Sequence, residues 1–552
     1  MKTPQSAFCI ARLPVRDPQL YFSALIVILA LVARLLPGPR TIDDACITFR
    51  YARNLLAGSG FTYNPGESVL GTTTPLYTFL MAGLGAITGG VNAPFPELAL
   101  GVNALADAAT CLLLIWLGRR AGARFAGWAA AVVWVVAPFS VTFAIGGLET
   151  SLYVLLLTTT VAAALAGGRR ARITAALLGA LALLTRPDAL ILLGPLALER
   201  LYSAYIVQPR QKISLAEVLA FGLPVLAWGT FATLTFGSPL PHSVLAKAAA
   251  YRLDSHDALI RLIQHYATPF LEQNLLGAPL AVALGIVLYP ALYAAGALQA
   301  WKTEKRLLPW IAYPWLYLVT FALPNPLIFR WYLTPPLPAY FLFILAGLER
   351  ILSNFRFSIL DFRLNRPVLF ASINGAQAEA FQSKIENRKS KIPFLVLAIL
   401  ITYPLVFSLS DWRLHPDHGP DHPAPQMAFI ELELLYRQAA ARIAPDLDGR
   451  SLLAAGDVGV LGYYTPARIL DTVGLNSPVS TAYYPLPPGQ YVINYAIPAR
   501  LVLDQQPDYL VVLEVYVRNT LLKDPSFLQQ YHLVEKIDTD MYGSDGMLIF
   551  KR

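Results

Sequence analysis

The sequence predicts an all-α polytopic membrane bundle followed by a small α/β domain, and three observations predict it. Apolar runs long enough to cross a bilayer recur from Leu20 to Leu409. Helix after helix is apolar all round, where a soluble core of this size would use amphipathic helices. The chain is 56% hydrophobic and only 14% charged over 552 residues, and its composition changes after Trp412. The formal charge of +8 conceals a division. Residues 411–552 carry 11 basic against 17 acidic side chains, which leaves +14 on the apolar part. Such an excess belongs to cytoplasmic loops, so no nucleic-acid partner is expected. Cys9, Cys46 and Cys111 are far apart and form neither a disulfide framework nor a metal-ligand set.

The first run, Leu20–Leu36, follows Lys2, Arg12 and Arg16 and has no small-residue cleavage site after it, so it reads as an uncleaved signal-anchor. Further spans are expected at Glu97–Leu117, Phe125–Ile145, Leu152–Leu165, Leu215–Phe236, Leu276–Ala300, Leu308–Leu323, Trp331–Leu348 and Pro393–Leu409. Two segments are decided by charge. Pro75–Gly89 is read as a juxtamembrane helix in the first outer loop. Ile173–Leu198 is read as two short helices meeting at Arg186-Pro187, because proline disfavours helix at the residue before it. Arg119, Arg120, Arg124, Arg169, Arg170 and Arg172 then fall on the side of the N-terminus, as do the basic groups from Arg350 to Lys391. The threading has about eleven transmembrane helices, the N-terminus inside and the C-terminal part outside.

The expected domains are therefore 1–410, the transmembrane domain, and 411–552, an extracytoplasmic α/β domain. Asn354–Lys391 reads as a flexible cytoplasmic linker and His415–His422 as an extended one, its three histidines solvated among prolines. Beyond it come a helix at Gln426–Ile443, strands at Ser451–Ala455, Arg468–Thr472, Tyr509–Glu514, His532–Ile537 and Met547–Lys551, and a helix near Pro498–Gln505.

The polar residues of the outer loops gather at one rim. Asp43 and Asp44 stand side by side just past the first span, before a helix expected at Thr48–Leu56, with Arg50, Tyr51 and Arg53 following. Two adjacent carboxylates beside apolar surface raise each other's pKa, which suits a general base, although an acidic pair also caps a helix start. Glu149, Arg186, Asp188, His242, Lys247 and Arg330 lie at the same face, with Trp331, Tyr332, Tyr63 and Tyr77 among them. Arginine grips phosphate with a fork and lysine as a point charge, so cations beside an acidic pair fit a cavity for an anionic head group.

Asp43-Asp44 with Ile47-Thr48-Phe49-Arg50-Tyr51-Ala52-Arg53-Asn54, followed by Gly58, Gly60-Phe61, Tyr63-Asn64-Pro65-Gly66-Glu67 and Gly71, resembles the first extracytoplasmic loop of the GT-C glycosyltransferases. The form of the loop is most similar to the terminal arabinofuranosyltransferases of the bacterial cell wall. Gly147-Leu148-Glu149-Thr150, Thr185-Arg186-Pro187-Asp188, Gly237 to Lys247, and Arg330-Trp331-Tyr332 resemble further blocks in the same order. Gly456-Asp457 to Tyr464 and Asp471 to Leu475 look like that group's C-terminal domain. The chain departs from the pattern at His242, where the family often has Asn, and at Asp188, where Glu is common.

The resemblance implies a GT-C fold and the inverting-type transfer of a sugar from a polyprenyl-phosphate carrier to an extracytoplasmic glycan, glycolipid or protein acceptor, in contact with membrane lipid. It implies that Asp43 acts as base with Asp44 as its acidic neighbour, and that Arg186, Lys247 and Arg330 bind the donor phosphate. Arg50, Tyr51, Glu149, His242 and Tyr332 are expected at the substrates. No cofactor or resident metal is expected. The expected location is the cytoplasmic membrane, as a multi-pass protein of cell-envelope biogenesis. A transporter or flippase of a polyprenyl-linked or anionic substrate is the competing reading; it expects internal repeats and ionisable groups near the bilayer midplane. A non-catalytic, glycan-binding scaffold is the third.

Overall fold

The computed structural model describes residues 18–207, 211–364, 395–414, 423–425 and 428–552. On length and composition, Phe95–Arg120, Leu215–Phe236 and Ala278–Thr303 can each cross a bilayer. Arg124–Val136 and Pro138–Ile145 make a fourth span if they are joined across a 46° bend. The eleven spans that charge suggests are therefore not all long apolar helices. Shorter apolar helices include Gln19–Leu35, Thr150–Ala166 and Leu395–Asp411. Leu215–Phe236 exposes Leu219, Leu223, Leu226 and Leu234, a surface suited to hydrocarbon rather than water.

The expected break at Arg186 is present. Arg186 is extended (φ −154°, ψ 135°) between Gly168–Thr185 and Leu190–Tyr205. These helices have 18 and 16 residues, about 27 and 24 Å at 1.5 Å each, longer than the short pieces expected. Leu337–Leu364 also runs past Asn354, so the start of the stretch read as a linker is helical. The remainder of that linker, 365–391, and the histidines His415, His418 and His422 lie outside the described residues.

The bend at Pro138 shows how the bundle tolerates a broken helix. Proline has no N–H to give to the carbonyl of Trp134, four residues earlier. Arg34 supplies the replacement: its guanidinium donates to the carbonyls of Trp134 (3.0 Å) and Val135 (2.6 Å) and to Ser140 Oγ (3.0 Å). Trp412 Nε1 donates to the next carbonyl, Val136, at 2.9 Å. Asp107, in the middle of Phe95–Arg120, pairs with Arg34 at 2.9 Å and also accepts from Trp134 Nε1 and Ser151 Oγ. Both charged side chains are fully buried. The ionisable groups are thus not confined to one rim, as the sequence suggests.

The C-terminal part contains a short antiparallel pair, β1 (Trp412–Leu414) with β2 (Pro423–Pro425), and a five-stranded sheet. The sheet comprises β3 (Leu452–Ala455), β4 (Arg468–Asp471), β5 (Tyr509–Leu513), β6 (His532–Ile537) and β7 (Met547–Lys551), in the order β4-β3-β5-β7-β6. β3 is parallel to β4 on one side and to β5 on the other, while β7 and β6 are antiparallel. The chain therefore reverses its direction of growth around β3, and the crevice beyond the carboxyl ends of such strands is where open α/β sheets bind ligands. Helices Ala428–Ile443 and Ala499–Gln505 fall where the sequence expects them.

One continuous core joins this sheet to the first loop: Ile42, Phe49, Tyr51, Tyr63 and Tyr77 pack in the same cluster as Leu453, Val460, Leu470 and Val511. The core of the helical bundle is separate. The division at residue 410 that composition suggests is therefore not a division of the core.

Candidate active site

The helix carrying the acidic pair is Asp43–Leu56, starting five residues earlier than expected, so both carboxylates occupy its first turn. That position is favourable for negative charge, where free N–H groups and the helix dipole point. The two side chains nevertheless have different surroundings. Asp43 Oδ2 accepts from Gly459 N (2.8 Å) and its Oδ1 from Val460 N (2.7 Å), at the start of helix Gly459–Tyr464. A Cβ built on Gly459 would collide with the carbonyl oxygen of Asp43, so only glycine permits this approach. Asp44 is half-buried, and among the described residues no hydrogen bond reaches its carboxylate. Burial raises the carboxyls of both, Asp43 further because Asp457 and Asp44 add negative charge beside it, while Lys247 acts in the opposite direction on Asp44.

Both aspartates line a cleft of about 460 Å³ between the bundle and the sheet. Ile42, Asp43 and Asp44 border it from the first loop, and Phe329, Arg330 and Trp331 from the turn Arg330–Leu333 and its approach. Gly456, Asp457, Val473 and Tyr516 border it just beyond the carboxyl ends of β3, β4 and β5. The cleft is thus the crevice at the sheet's reversal point, covered by the acidic first loop.

Arg330 lines the cleft as expected and is exposed. Arg261, from helix Asp257–Ala267, stands near it, and among the described residues neither has a carboxylate within ion-pair distance. Burial, then the charge of Arg330, lowers the pKa of Arg261. Two cations without counter-ions at one end of a cleft are equipped to take an anion. The sequence reading did not reach Arg261, because the segment Tyr251–Leu275 carries no motif and its helices are short.

Lys247 is adjacent to the cleft rather than in its lining. From helix His242–Ala250 its ammonium lies 4.6 Å from the ring centre of Phe329, within electrostatic reach of the Tyr332 hydroxyl. Burial pulls its pKa down, but Tyr332 and Asp44 outweigh that, and the net direction is upward. Tyr332 connects this lysine to Arg186, whose guanidinium sits 4.8 Å over the tyrosine ring.

Several expected contacts are corrected. Arg186 is 3% exposed, with both arms of its fork on Asp188 (2.9 and 3.2 Å) and Nη1 on Glu149 (3.3 Å), while Tyr317 also donates to Asp188. Two carboxylates already neutralise it, so Arg186 braces the helix break and Tyr332, and Glu149 serves the same brace. Arg50 and Tyr51 do not face the cleft. Arg50 donates to the carbonyls of Tyr63, Gly462 and Ala467 and to Asn64 Oδ1. The Tyr51 hydroxyl donates to Val69 O (2.9 Å) and Asn476 Oδ1 (3.1 Å) and accepts from Gly71 N. His242 pairs through Nδ1 with the Gly474 carbonyl at 3.0 Å. These three fasten the first loop to the sheet. Tyr63 adds a bond to Val458 O (2.6 Å), Asn64 pairs in both directions with the backbone of Ile469, and Arg468 meets Glu67.

The architecture, an apolar helical bundle whose acidic first loop faces a small α/β domain, has a counterpart among solved structures. It is similar to ArnT from Cupriavidus metallidurans bound to undecaprenyl phosphate, with a TM-score of 0.56 over 96% of this chain and 97% of that one, at 13% identity. In sequence the chain resembles the terminal β-(1→2)-arabinofuranosyltransferases. It is 32% identical over 223 residues to that of Mycobacterium tuberculosis, covering 38% of this chain and 35% of the relative. To that of Corynebacterium glutamicum it is 28% identical over 292 residues, covering 48% and 39%. The matched region thus spans little more than a third of each curated relative. Residues 428–550 match a domain of unknown function, DUF8728.

Proposed function

We propose that this protein is a membrane glycosyltransferase that moves a sugar, of arabinofuranose type, from a polyprenyl-phosphate carrier to a hydroxyl of an extracytoplasmic glycan, glycolipid or protein. The observation that carries the reading is the Asp44 carboxylate: it borders the cleft with no hydrogen-bond partner among the described residues, and its pKa is raised by burial. A base needs free acceptor capacity and a pKa near the working pH. Asp44 has free acceptor capacity and a carboxyl raised by burial, whereas the carboxylate of Asp43, although raised further, is engaged by two backbone N–H groups. The role of base, which the resemblance gives to Asp43, therefore passes to Asp44, and Asp43 secures the domain that faces it.

In this reaction the acceptor oxygen attacks the anomeric carbon, Asp44 takes its proton, and the carbon–oxygen bond to phosphate breaks. The electron pair leaves on the lipid phosphate, and a single displacement inverts the anomeric centre. Lys247, Arg330 and Arg261 stabilise the charge gathering on that phosphate. The prenyl chain stays in the bilayer beside the exposed apolar helices. This function places the protein in the cytoplasmic membrane in about eleven passes, with the N-terminus inside and the cleft and residues 411–552 outside. It uses no cofactor of its own. The transporter reading loses ground because the buried pair Arg34–Asp107 is closed on every side by hydrogen bonds.

The test is to incubate purified protein with a panel of polyprenyl-phosphate sugars and score transfer or hydrolysis. Lys247→Gln and Arg330→Gln should each weaken the apparent donor affinity by about 1.5–3 kcal/mol, the worth of a charged hydrogen bond. Unchanged affinity in both would return them to the class of interfacial anchors.

A further inference from the structure

Five aromatic side chains form a continuous strip along the cleft, crossing from the bundle to the C-terminal sheet domain. Trp331 stacks on Phe329 (centroids 4.7 Å, interplanar 12°), Phe329 meets Tyr251 at 6.2 Å, Tyr251 meets Tyr495 at 5.7 Å, and Tyr495 meets Tyr516 at 5.1 Å. All five line the cleft, and so do Asp457 and Asn494. Asp457 stands two residues past the end of β3. Its Oδ2 accepts from the Tyr436 hydroxyl at 3.0 Å, and among the described residues its other oxygen has no partner.

The residues that border the cleft from the C-terminal domain are Leu432, Gly456, Asp457, Val473, Ile493, Asn494, Tyr495, Tyr516 and Tyr542, with one carboxylate and no cation among them. A phosphate would be repelled from that wall. A neutral polyol fits it: aromatic faces receive the C–H faces of a sugar ring, and a fixed carboxylate and an amide exchange hydrogen bonds with hydroxyls. The cations that line the cleft, Arg261 and Arg330, come from the bundle, and Lys247 lies beside Phe329.

We propose that the C-terminal domain is half of the acceptor subsite: its wall binds the neutral sugar that is to be glycosylated, Asp457 and Asn494 hold hydroxyls of that sugar, and the aromatic strip carries its rings toward Asp44. This rests on the glycosyl-transfer reading and deepens it, giving the domain a ligand class of its own.

The experiment uses the full chain in detergent and a fluorescently tagged neutral arabinofuranose oligosaccharide as the probe, without donor. The unsubstituted protein should bind it, and Asp457→Asn and Asn494→Ala should each weaken binding at least tenfold while polyprenyl-phosphate binding stays within twofold. Equal oligosaccharide affinity in both variants overturns the proposal. So does no binding by the unsubstituted protein, competition by a sugar phosphate as effective as by the neutral sugar, or an equal loss of polyprenyl-phosphate binding. Failure of the underlying reading looks different: the oligosaccharide binds as described, yet no polyprenyl-phosphate sugar is consumed.

Discussion

Asp107 and Asp44 are both withdrawn from water, and the molecule treats them in opposite ways. Asp107 accepts from Arg34, Trp134 and Ser151 inside the bundle, and its guanidinium partner is itself bonded to two carbonyls left free by a bend. Asp44 accepts from nothing among the described residues, and an open cleft stands in front of it. A buried carboxylate with both oxygens engaged is a structural pin, whereas one left open at a cavity is available for chemistry. The same contrast separates Asp43 from Asp44, one residue apart.

The strongest way to break the comparison is Asp44→Asn, which keeps size and removes the proton acceptor. Turnover should fall about 10²–10⁴-fold with the melting temperature nearly unchanged. Near-normal turnover would hand the base role back to Asp43.

Arg34→Met should do the reverse, leaving Asp107 buried without its partner at a cost of about 3–5 kcal/mol. The double variant Arg34→Met with Asp107→Leu should recover much of that loss in a thermal melt. If the double variant is no better than the single one, the carbonyls at the bend need the guanidinium more than the pair does.

Smaller again is Asp43→Asn, which turns one of two acceptor oxygens into a donor facing a backbone N–H. We expect about 1.5–3 kcal/mol of weaker docking between the first loop and the sheet domain, read as faster proteolysis between them. A cleavage rate equal to that of the unsubstituted protein would remove Asp43 from the docking role.

The pH dependence provides the finest test. Burial first, then the charges of Asp44 and Asp471, push Asp457 up to about 6 against the bond from Tyr436, and burial holds Asp471 at about 6 as well. An unfolded aspartate titrates near 3.9, so between about pH 4 and 6 the folded state binds more protons than the unfolded chain. Stability therefore falls as pH rises through that window and levels off above it. Asp457→Asn should flatten part of this slope in melts at pH 5 and pH 7. An unaltered slope would assign it to Asp471 alone.

What the sequence made legible follows from the range of each interaction. The five strands and the break at Arg186 are legible because short strand-like runs and a proline act within a few residues. The acidic pair was legible as a site, but the division of labour within it was not, because Gly459 and Val460 lie more than 400 positions away. Arg34 and Asp107 are 73 positions apart and each alone looks like an isolated polar residue in an apolar run. The motif points to Arg50 and Tyr51 as substrate ligands because it records which residues are needed, not whether they hold substrate or hold the fold.

The close fit of Gly459 against the Asp43 backbone also bears on how this protein is made. The first loop is synthesised some 400 residues before the turn that engages it, and domains settle in the order in which they emerge. Until Val458 to Asn476 arrive, Arg50, Tyr63 and Asn64 lack the carbonyls of Gly462, Ala467, Val458 and Ile469, and the acidic helix has no wall opposite it. The cleft is therefore closed by residues translated some 400 positions after the aspartates, and a ribosome-bound intermediate carries the aspartates without the site.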